Sequence, residues 1–191
     1  MTKVSELVWL WVKRRPYAQE ALEKGIVNYS ALARMVNREI RASDAAVKAA
    51  LIRTGARLRG QRKGAEAKVL AVLRNSSLDV RAKVATVVSR DRVEGAIVSA
   101  KGPGGWVSVV DEGKSWTRPA SARIEKGLDL IMITSSRDIE NVSGVIAYIM
   151  QRLAAENINI IHMTSASTDT LLVIRDVDTP KAFKILSEMV R

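Results

Sequence analysis

The sequence predicts an α+β protein in which a helical N-terminal domain is followed by a β-rich middle region and a small C-terminal domain of mixed strands and helices. Two changes of pattern support this prediction. Apolar residues recur at helical spacing through the first third of the chain, and the apolar period shortens to two at residues 78–88, which is typical of a half-buried strand. We therefore divide the chain into residues 1–63, 64–127 and 128–191.

Helices are predicted in the first part of the chain from apolar spacing and from residues that favour helix ends. Pro16 suits a first helical turn and Gly25 a helix end, while Ser30 and Ser43 are favoured N-cap residues. The predicted helices cover residues 7–13, 16–24, 31–40, 44–59 and 65–74. Residues 60–64 read GQRKG, and we interpret this basic, glycine-bounded segment as a hinge.

The middle region reads as strands separated by turns. Apolar and charged residues alternate along the strand predicted at 78–88. The segments GPGG (102–105) and DEGK (111–114) predict turns on either side of a strand at 106–110. A further strand is predicted at 120–125.

The order of elements is clearest in residues 128–191. The predicted elements are a strand at 128–134, a helix at 142–155, strands at 158–165 and 171–175, and a final helix that Pro180 begins. Phe183, Leu186 and Val190 are predicted to line the buried face of the final helix. Strand, helix, strand, strand, helix, with short connections, is the split ferredoxin-like pattern without its last strand.

Charge is distributed unevenly along the chain. Residues 1–63 contain 14 Lys and Arg against 5 Asp and Glu, whereas residues 128–191 contain 6 against 8. The basic surplus therefore lies in the N-terminal part, which predicts contact with a polyanion there. A solvated basic surface with no partner is the alternative interpretation.

Several classes of function are disfavoured by composition. Cysteine is absent and His162 is the only histidine, which excludes a Cys/His zinc site. The glycine-rich segment at 102–105 lacks the Lys-Ser/Thr of a phosphate-binding loop, and we expect no cofactor and no enzymatic activity. His162 is interpreted as a structural strand residue. Because no apolar run approaches the ~20 residues that span a bilayer, we expect a soluble cytoplasmic protein without a membrane partner.

Three segments of the last part carry a resemblance to a known family. They read NVSGV (141–145), ENINII (156–161) and SASTDT (165–170). In this order and spacing they resemble the ACT domains of aspartokinases and of archaeal stand-alone ACT proteins. The resemblance covers about a third of the chain and implies a domain that senses a small amino-acid-like molecule.

The resemblance implies a ligand site between the first strand and the first helix of this domain, with the end of the second strand nearby. Gly144 opens a helix whose free N–H groups and positive dipole end suit a carboxylate, and it leaves room for a ligand to approach the backbone. The candidate ligand-binding residues are Asn141, Ser143, Gly144, Val145, Asn159 and Ser165. The family usually has proline in place of Ser143. A simple N-cap at Asn141 and a packing glycine at Gly144 are the structural alternative.

Residues 128–191 supply only three of the four strands of a ferredoxin-like sheet. The strand at 78–88, another strand of the middle region, or a strand of a second chain could complete it. We accordingly interpret the middle region as a candidate degenerate second ACT-like unit. Since ACT domains usually pair through their edges or helices, we expect a homodimer or a higher homo-oligomer.

Residues 16–59, including NYSALAR (28–34), resemble a helix-turn-helix region. If this resemblance holds, residues 43–59 form the recognition helix, and DNA is a partner. The candidate DNA-binding residues are Lys48, Arg53, Arg57 and Arg59. A helical dimerisation module with a basic exterior is the alternative.

These observations together predict a regulator that senses a small molecule through residues 128–191 and acts through DNA binding by its basic N-terminal helices. Two alternatives remain. The chain could be a regulatory subunit of an amino-acid metabolic enzyme that does not bind DNA, or a dimerisation module that senses nothing.

Overall fold

The computed structural model describes residues 3–191 and contains two compact units, Met1–Ala67 and Lys68–Arg191. The first unit is helical. Its helices are α1 (Val4–Lys13), α2 (Pro16–Lys24), α3 (Tyr29–Ile40) and the greater part of α4 (Asp44–Arg74). Their apolar faces meet in one core that includes Val8, Trp11, Leu22, Val36, Val47 and Leu51.

The ends of these helices follow local sequence signals. Gly25 ends α2 in the left-handed conformation, with φ of 73°, as the sequence predicts. The predicted N-cap at Ser30 is wrong, because Asn28 caps α3 two residues earlier. The Asn28 side chain accepts hydrogen bonds from the backbone N–H groups of Ser30 and Ala31. The predicted cap at Ser43 is confirmed by a hydrogen bond from the N–H of Ala46 to its Oγ, at 3.3 Å.

The predicted hinge at residues 60–64 is wrong, because α4 runs without a break from Asp44 to Arg74. Gly60 and Gly64 each cost about 1 kcal/mol of helix propensity relative to alanine. Good helix formers surround both glycines, and Arg62 and Glu66 form an i,i+4 pair at 3.9 Å. Helix propagation across the segment therefore outweighs the cost of the two glycines.

The second unit contains the end of α4, six strands and two further helices. The strands are β1 (Ser77–Ser89), β2 (Val98–Gly102), β3 (Gly105–Asp111), β4 (Arg123–Thr134), β5 (Ile160–Ala166) and β6 (Asp169–Arg175). The helices are α5 (Val145–Ala155) and α6 (Thr179–Met189), and short 3-10 turns lie at Arg137–Glu140 and Asp176–Asp178. All strand pairs are antiparallel, in the order β2-β3-β1-β4-β6-β5.

The α+β fold predicted from the sequence is confirmed, and β1 completes the ferredoxin-like sheet. The last three strands of the chain are arranged in the order β4-β6-β5, as in a ferredoxin-like unit. The fourth strand of such a sheet would lie beside β4. β1 fills this place, pairing Ser77 with Thr134 and Arg81 with Leu130. The strands β1–β3 join this same sheet rather than form one of their own, and no helix lies between β1 and β4.

Two further predictions about elements need correction, and one strand was not predicted. The strands predicted at 120–125 and 128–134 form one strand, β4, in which Gly127 adopts a φ of 71°. β2 was missed, because its sequence VSAKG is short and mostly small or polar. Phe183 was predicted to be buried on the final helix but is 42% exposed, and Ala182, Leu186 and Met189 line that face.

Helices pack against one face of the sheet but not against the other. On one face, the end of α4, α5 and α6 bury an apolar core that includes Leu73, Ile131, Ile149, Leu172 and Leu186. The other face carries a smaller cluster, with Val84, Val109, Leu128, Leu130 and Val173 at its centre. No helix contributes to that second cluster among the described residues of the unit, and we call this side the helix-free face.

Candidate ligand sites

The loop between β4 and α5 (residues 135–144) lies against the turn that joins β5 to β6. The buried Ser135 donates its backbone N–H to the carbonyl of Thr168 at 2.9 Å. Thr134 donates its hydroxyl to Asp169 Oδ1 at 2.8 Å, and Ser167 donates its hydroxyl to Glu140 Oε1 at 3.1 Å. The loop is therefore held at both ends of its 3-10 turn.

Gly144 begins α5 in a conformation that other residues rarely adopt. Its φ is 97°, and no side chain accepts a hydrogen bond from the first turn of the helix. A Cβ at this position would lie 3.8 Å from Val69 Cγ2, so the backbone conformation rather than crowding favours glycine. The uncapped N–H groups at this end of α5 can bind an anion such as a carboxylate.

The structure brings most of the predicted ligand-binding residues to one end of the sheet. Asn141 and Ser143 are exposed in the loop, next to the exposed Gly144. Val145 is 2% exposed and its side chain belongs to the core, so only its backbone can reach a ligand. Ser165 lies near the end of β5, with its Oγ 3.5 Å from Thr170 Oγ1.

Asn159 does not join this group, which corrects the prediction for that residue. It precedes β5, whose first residue, Ile160, pairs with Ile174 near the end of β6. The strand then runs to Ala166, so Asn159 and the loop lie at opposite ends of it, about 20 Å apart. The first and last residues of a strand cannot share one small-molecule site.

A cavity on the helix-free face was not predicted. Its volume is about 250 Å³, and its lining includes Val88, Val107, Arg123, Glu125 and His162. Thr164 Oγ1 lies 3.4 Å from His162 Nε2, and partial burial lowers the pKa of His162 below its ordinary value. The strands that line the cavity were each predicted from the sequence, but the cavity also needs residues from strands that are far apart in the sheet.

The predicted DNA-binding residues of the first unit do not form one surface. Arg59 donates hydrogen bonds to the carbonyl of Leu22 at 3.2 Å and to the hydroxyl of Tyr29 at 3.1 Å, so it stabilises the helical core. Lys48 is exposed but is five and nine residues from Arg53 and Arg57, which places it on another side of α4.

Arg53 and Arg57 do lie together. They line a cavity of about 340 Å³ with Lys3, Trp9 and Thr54. The Arg57 guanidinium stacks over the Trp9 ring, with its Cζ 4.5 Å from the ring centroid. The sequence identified both arginines, whereas the approach of Trp9 from α1 required the structure.

Neither a metal site nor a membrane-spanning helix occurs in the described part of the chain. Residues 3–191 contain no group of three or more His, Cys, Asp or Glu side chains that could hold a metal ion. Within the same residues, no helix is long and apolar enough to cross a membrane.

The strand order and helix placement of the second unit define an ACT-like, ferredoxin-like fold, and comparison with solved structures agrees. A protein of unknown function from Vibrio cholerae, described as a possible transport protein, matches 66% of this chain and 97% of its own, with 16% identity and a TM-score of 0.52. Aspartate kinase from Clostridium acetobutylicum matches 60% of this chain, with 14% identity and a TM-score of 0.51. The match spans 34% of the aspartate kinase chain. No protein-family model and no curated protein matches the sequence.

Proposed function

We propose that this chain is a regulatory protein rather than an enzyme, and that its ACT-like unit binds a small amino-acid-like ligand at the loop between β4 and α5. The observation that carries the proposal is the uncapped first turn of α5 at Gly144, beside the exposed polar side chains of Asn141 and Ser143. The likeness to aspartate kinase, which is described as an allosteric enzyme, supports a regulatory role.

The chemistry of the loop suits a zwitterion. A ligand carboxylate would accept hydrogen bonds from the free N–H groups of α5, where the helix dipole adds favourable electrostatic energy. The loop also carries Asp138 and Glu140, whose carboxylates can attract a ligand ammonium group. Asn141 and Ser143 would add hydrogen bonds that fix the orientation of the ligand.

A thermal-shift screen of the full chain against the amino acids tests this proposal. A ligand at about 100 times its Kd stabilises a protein by roughly 2.7 kcal/mol, which for a chain of this size raises Tm by about 5–10 °C. The ligand that raises Tm should lose affinity in Asn141→Ala and keep it in Asn159→Ala. Both variants remove an asparagine side chain, Asn141 in the loop and Asn159 immediately before the distant end of β5.

Two results would contradict the proposal. No change in Tm for any amino acid at millimolar concentration would favour a dimerisation module that senses nothing. Equal loss of affinity in Asn141→Ala and Asn159→Ala would show that the ligand does not bind at the loop. Melting temperatures of both variants without ligand distinguish these results from a general loss of folding.

DNA binding by the first unit is a second candidate function. It is favoured by the cavity that Arg53 and Arg57 share with Lys3, together with the basic surplus of residues 1–63. It also fits the resemblance of residues 16–59 to a helix-turn-helix region. Such a protein would change its affinity for DNA when the ligand binds.

A gel-shift series at rising salt concentration tests this second candidate. We expect the double variant Arg53→Gln, Arg57→Gln to bind DNA more weakly and with a shallower salt dependence. Arg34→Gln, on the exposed side of α3, is the control. If the wild-type chain fails to bind even at low salt, the alternative is a regulatory subunit that docks on a metabolic enzyme.

We also propose that the chain forms a homodimer or a higher homo-oligomer. The outer strands of the sheet, β2 and β5, each have one neighbour in the described structure. An unpaired strand edge can extend a sheet by pairing with a second chain.

A further inference from the structure

The helix-free face of the sheet curls into a concave surface. Val107 lies on β3 and His162 on β5, four positions apart in the strand order. In a flat sheet these strands would be about 19 Å apart. Since both residues line one cavity of about 250 Å³, the sheet must bend around it.

The floor of this cavity is apolar. Val88 and Val107 are directly opposite each other in the pairing of β1 with β3, and Ile161 approaches from β5. These three aliphatic side chains form a surface that suits a short branched hydrocarbon group. The volume is slightly below the ~300 Å³ at which drug-sized pockets begin, so the ligand should be small.

The lining of the cavity also includes one basic and one acidic side chain, Arg123 and Glu125. Arg123 and Glu125 are two residues apart on β4, so their side chains lie on the same face, opposite Val88 and Thr86 of β1. Among residues 3–191, neither makes an ion pair with another side chain. Both charges are therefore available to a ligand at the same cavity.

We propose that this cavity is a binding site for an α-amino acid with a short branched apolar side chain. Arg123 binds the carboxylate, Glu125 binds the ammonium group, and the side chain of the ligand packs on Val88, Val107 and Ile161. This site is separate from the loop at Gly144 and does not depend on the function proposed for that loop.

The charges of the cavity disfavour other small ligands. A phosphate or a dicarboxylate would place a second negative charge near Glu125. A fatty acid would leave the Glu125 carboxylate without a partner, and an amine would leave Arg123 without one. A sugar would cover the apolar floor with hydroxyl groups that find no partner there.

The single histidine of the chain offers a reporter at this site. His162 lines the cavity, and because the sequence contains one histidine, the imidazole signals in an NMR spectrum need no assignment. We would titrate L-leucine into the full-length protein and follow those signals. Two probes of nearly the same shape complete the test: 4-methylpentanoate, which lacks the ammonium group, and isopentylamine, which lacks the carboxylate.

We expect L-leucine to shift the His162 signals in a saturable manner and each truncated probe to bind about tenfold more weakly or worse. Arg123→Gln should weaken leucine binding by a similar factor. Arg118→Gln, the same substitution in an exposed loop outside the cavity, should bind leucine as the wild type does. Melting temperatures of the two variants show whether both are folded.

Several results would overturn the inference. They are a His162 signal that L-leucine does not move at millimolar concentration, equal affinity for leucine in Arg123→Gln and Arg118→Gln, and equal affinity for leucine and 4-methylpentanoate. Leucine binding that calorimetry detects and Asn141→Ala abolishes, with His162 unmoved, would overturn this site and support the loop. Leucine binding that moves His162 and is unchanged in Asn141→Ala would support this site and leave the loop to its own test.

Discussion

The helices of the first unit pack closely at Gly55 because this residue has no side chain. A Cβ at this position would lie 2.8 Å from the hydroxyl of Tyr29 and 3.3 Å from Leu22 Cδ2. The same tyrosine hydroxyl accepts a hydrogen bond from Arg59. Glycine therefore lets α2, α3 and α4 approach each other around a partly buried polar contact.

We expect Gly55→Ala to destabilise the protein by about 1 kcal/mol or more, because the added methyl group displaces the rigid Tyr29 ring and breaks its hydrogen bond to Arg59. Gly60→Ala is the matched control in the same helix. A Cβ there meets nothing within 4 Å, so the gain in helix propensity should stabilise by about 0.5–1 kcal/mol. Urea denaturation measures both, and effects of the same sign would contradict the prediction.

The protonation of His162 is expected to make the stability of the protein depend on pH. Burial lowers the pKa of its imidazole below the ordinary value of 6.5, so the unfolded chain takes up this proton more readily than the folded chain. The stability associated with this residue is complete above pH 6.5 and decreases as the pH falls through the lowered pKa. Arg123 and Glu125 line the same cavity as His162.

The measurement is urea denaturation of the wild type and His162→Gln between pH 7.5 and pH 5. The loss of stability over this range should be smaller in the variant, which has no imidazole to protonate. Equal pH dependence in the two proteins would contradict the prediction, and NMR titration of the histidine signals gives the pKa directly.

At the scale of one element, β1 contains an irregularity that a buried carboxylate stabilises. Its register against β4 shifts between Arg81 and Val84, and Lys83 adopts a φ of 58°. The backbone N–H of Lys83 is thereby released from the ladder, and it donates to Asp129 Oδ1 at 3.0 Å. Asp129 is 7% exposed, so this hydrogen bond forms away from water.

We expect Asp129→Ala to destabilise the protein by about 1–3 kcal/mol, because it leaves the N–H of Lys83 without a partner. Asp79→Ala, an exposed position on β1, is the control and should change the free energy of unfolding by less than about 0.5 kcal/mol. A similar loss in both variants would contradict the role assigned to the Asp129 carboxylate.

Elements with strong local signals could be predicted from the sequence, and those that depend on tertiary context could not. Pro16 and Gly25 mark the two ends of α2 by backbone conformation alone. The continuity of α4 through Gly60 and Gly64, and of β4 through Gly127, depends on packing and pairing that override the tendency of glycine to end an element. β2 is stabilised by its hairpin with β3. Its own sequence is too short and too polar to predict a strand.

The whole molecule offers open strand edges for association. β5 has one neighbour, β6, and Met163 on that strand is 41% exposed. We expect the chain to be at least dimeric by light scattering. Met163→Lys should weaken the dimer, because a charged side chain on an edge strand opposes edge-to-edge pairing. A monomeric wild type would contradict the expectation, and an unchanged dimer in the variant would place the interface elsewhere.

The candidate site was partly predictable for the same physical reasons. Asn141, Ser143 and Gly144 are adjacent in sequence, so any helix start there brings them together. Asn159 was wrongly placed because it precedes the first residue of β5, whereas the last residues of β5 lie near the loop. The cavity at Arg123 and His162 joins distant strands through the curl of the sheet, which no local pattern encodes.

The place of β1 in the sheet has a consequence during synthesis. The strand that completes the ferredoxin-like arrangement leaves the ribosome first, and the last residue of β4 follows roughly 45 residues after the end of β1, which at ~5–20 residues per second takes about 2–9 seconds. During that interval β3 is synthesised and can pair with one edge of β1, while the edge of β1 that faces β4 lacks a partner. Translation speed between Ser89 and Thr134 therefore sets how long an apolar edge is open to chaperones or to neighbouring nascent chains.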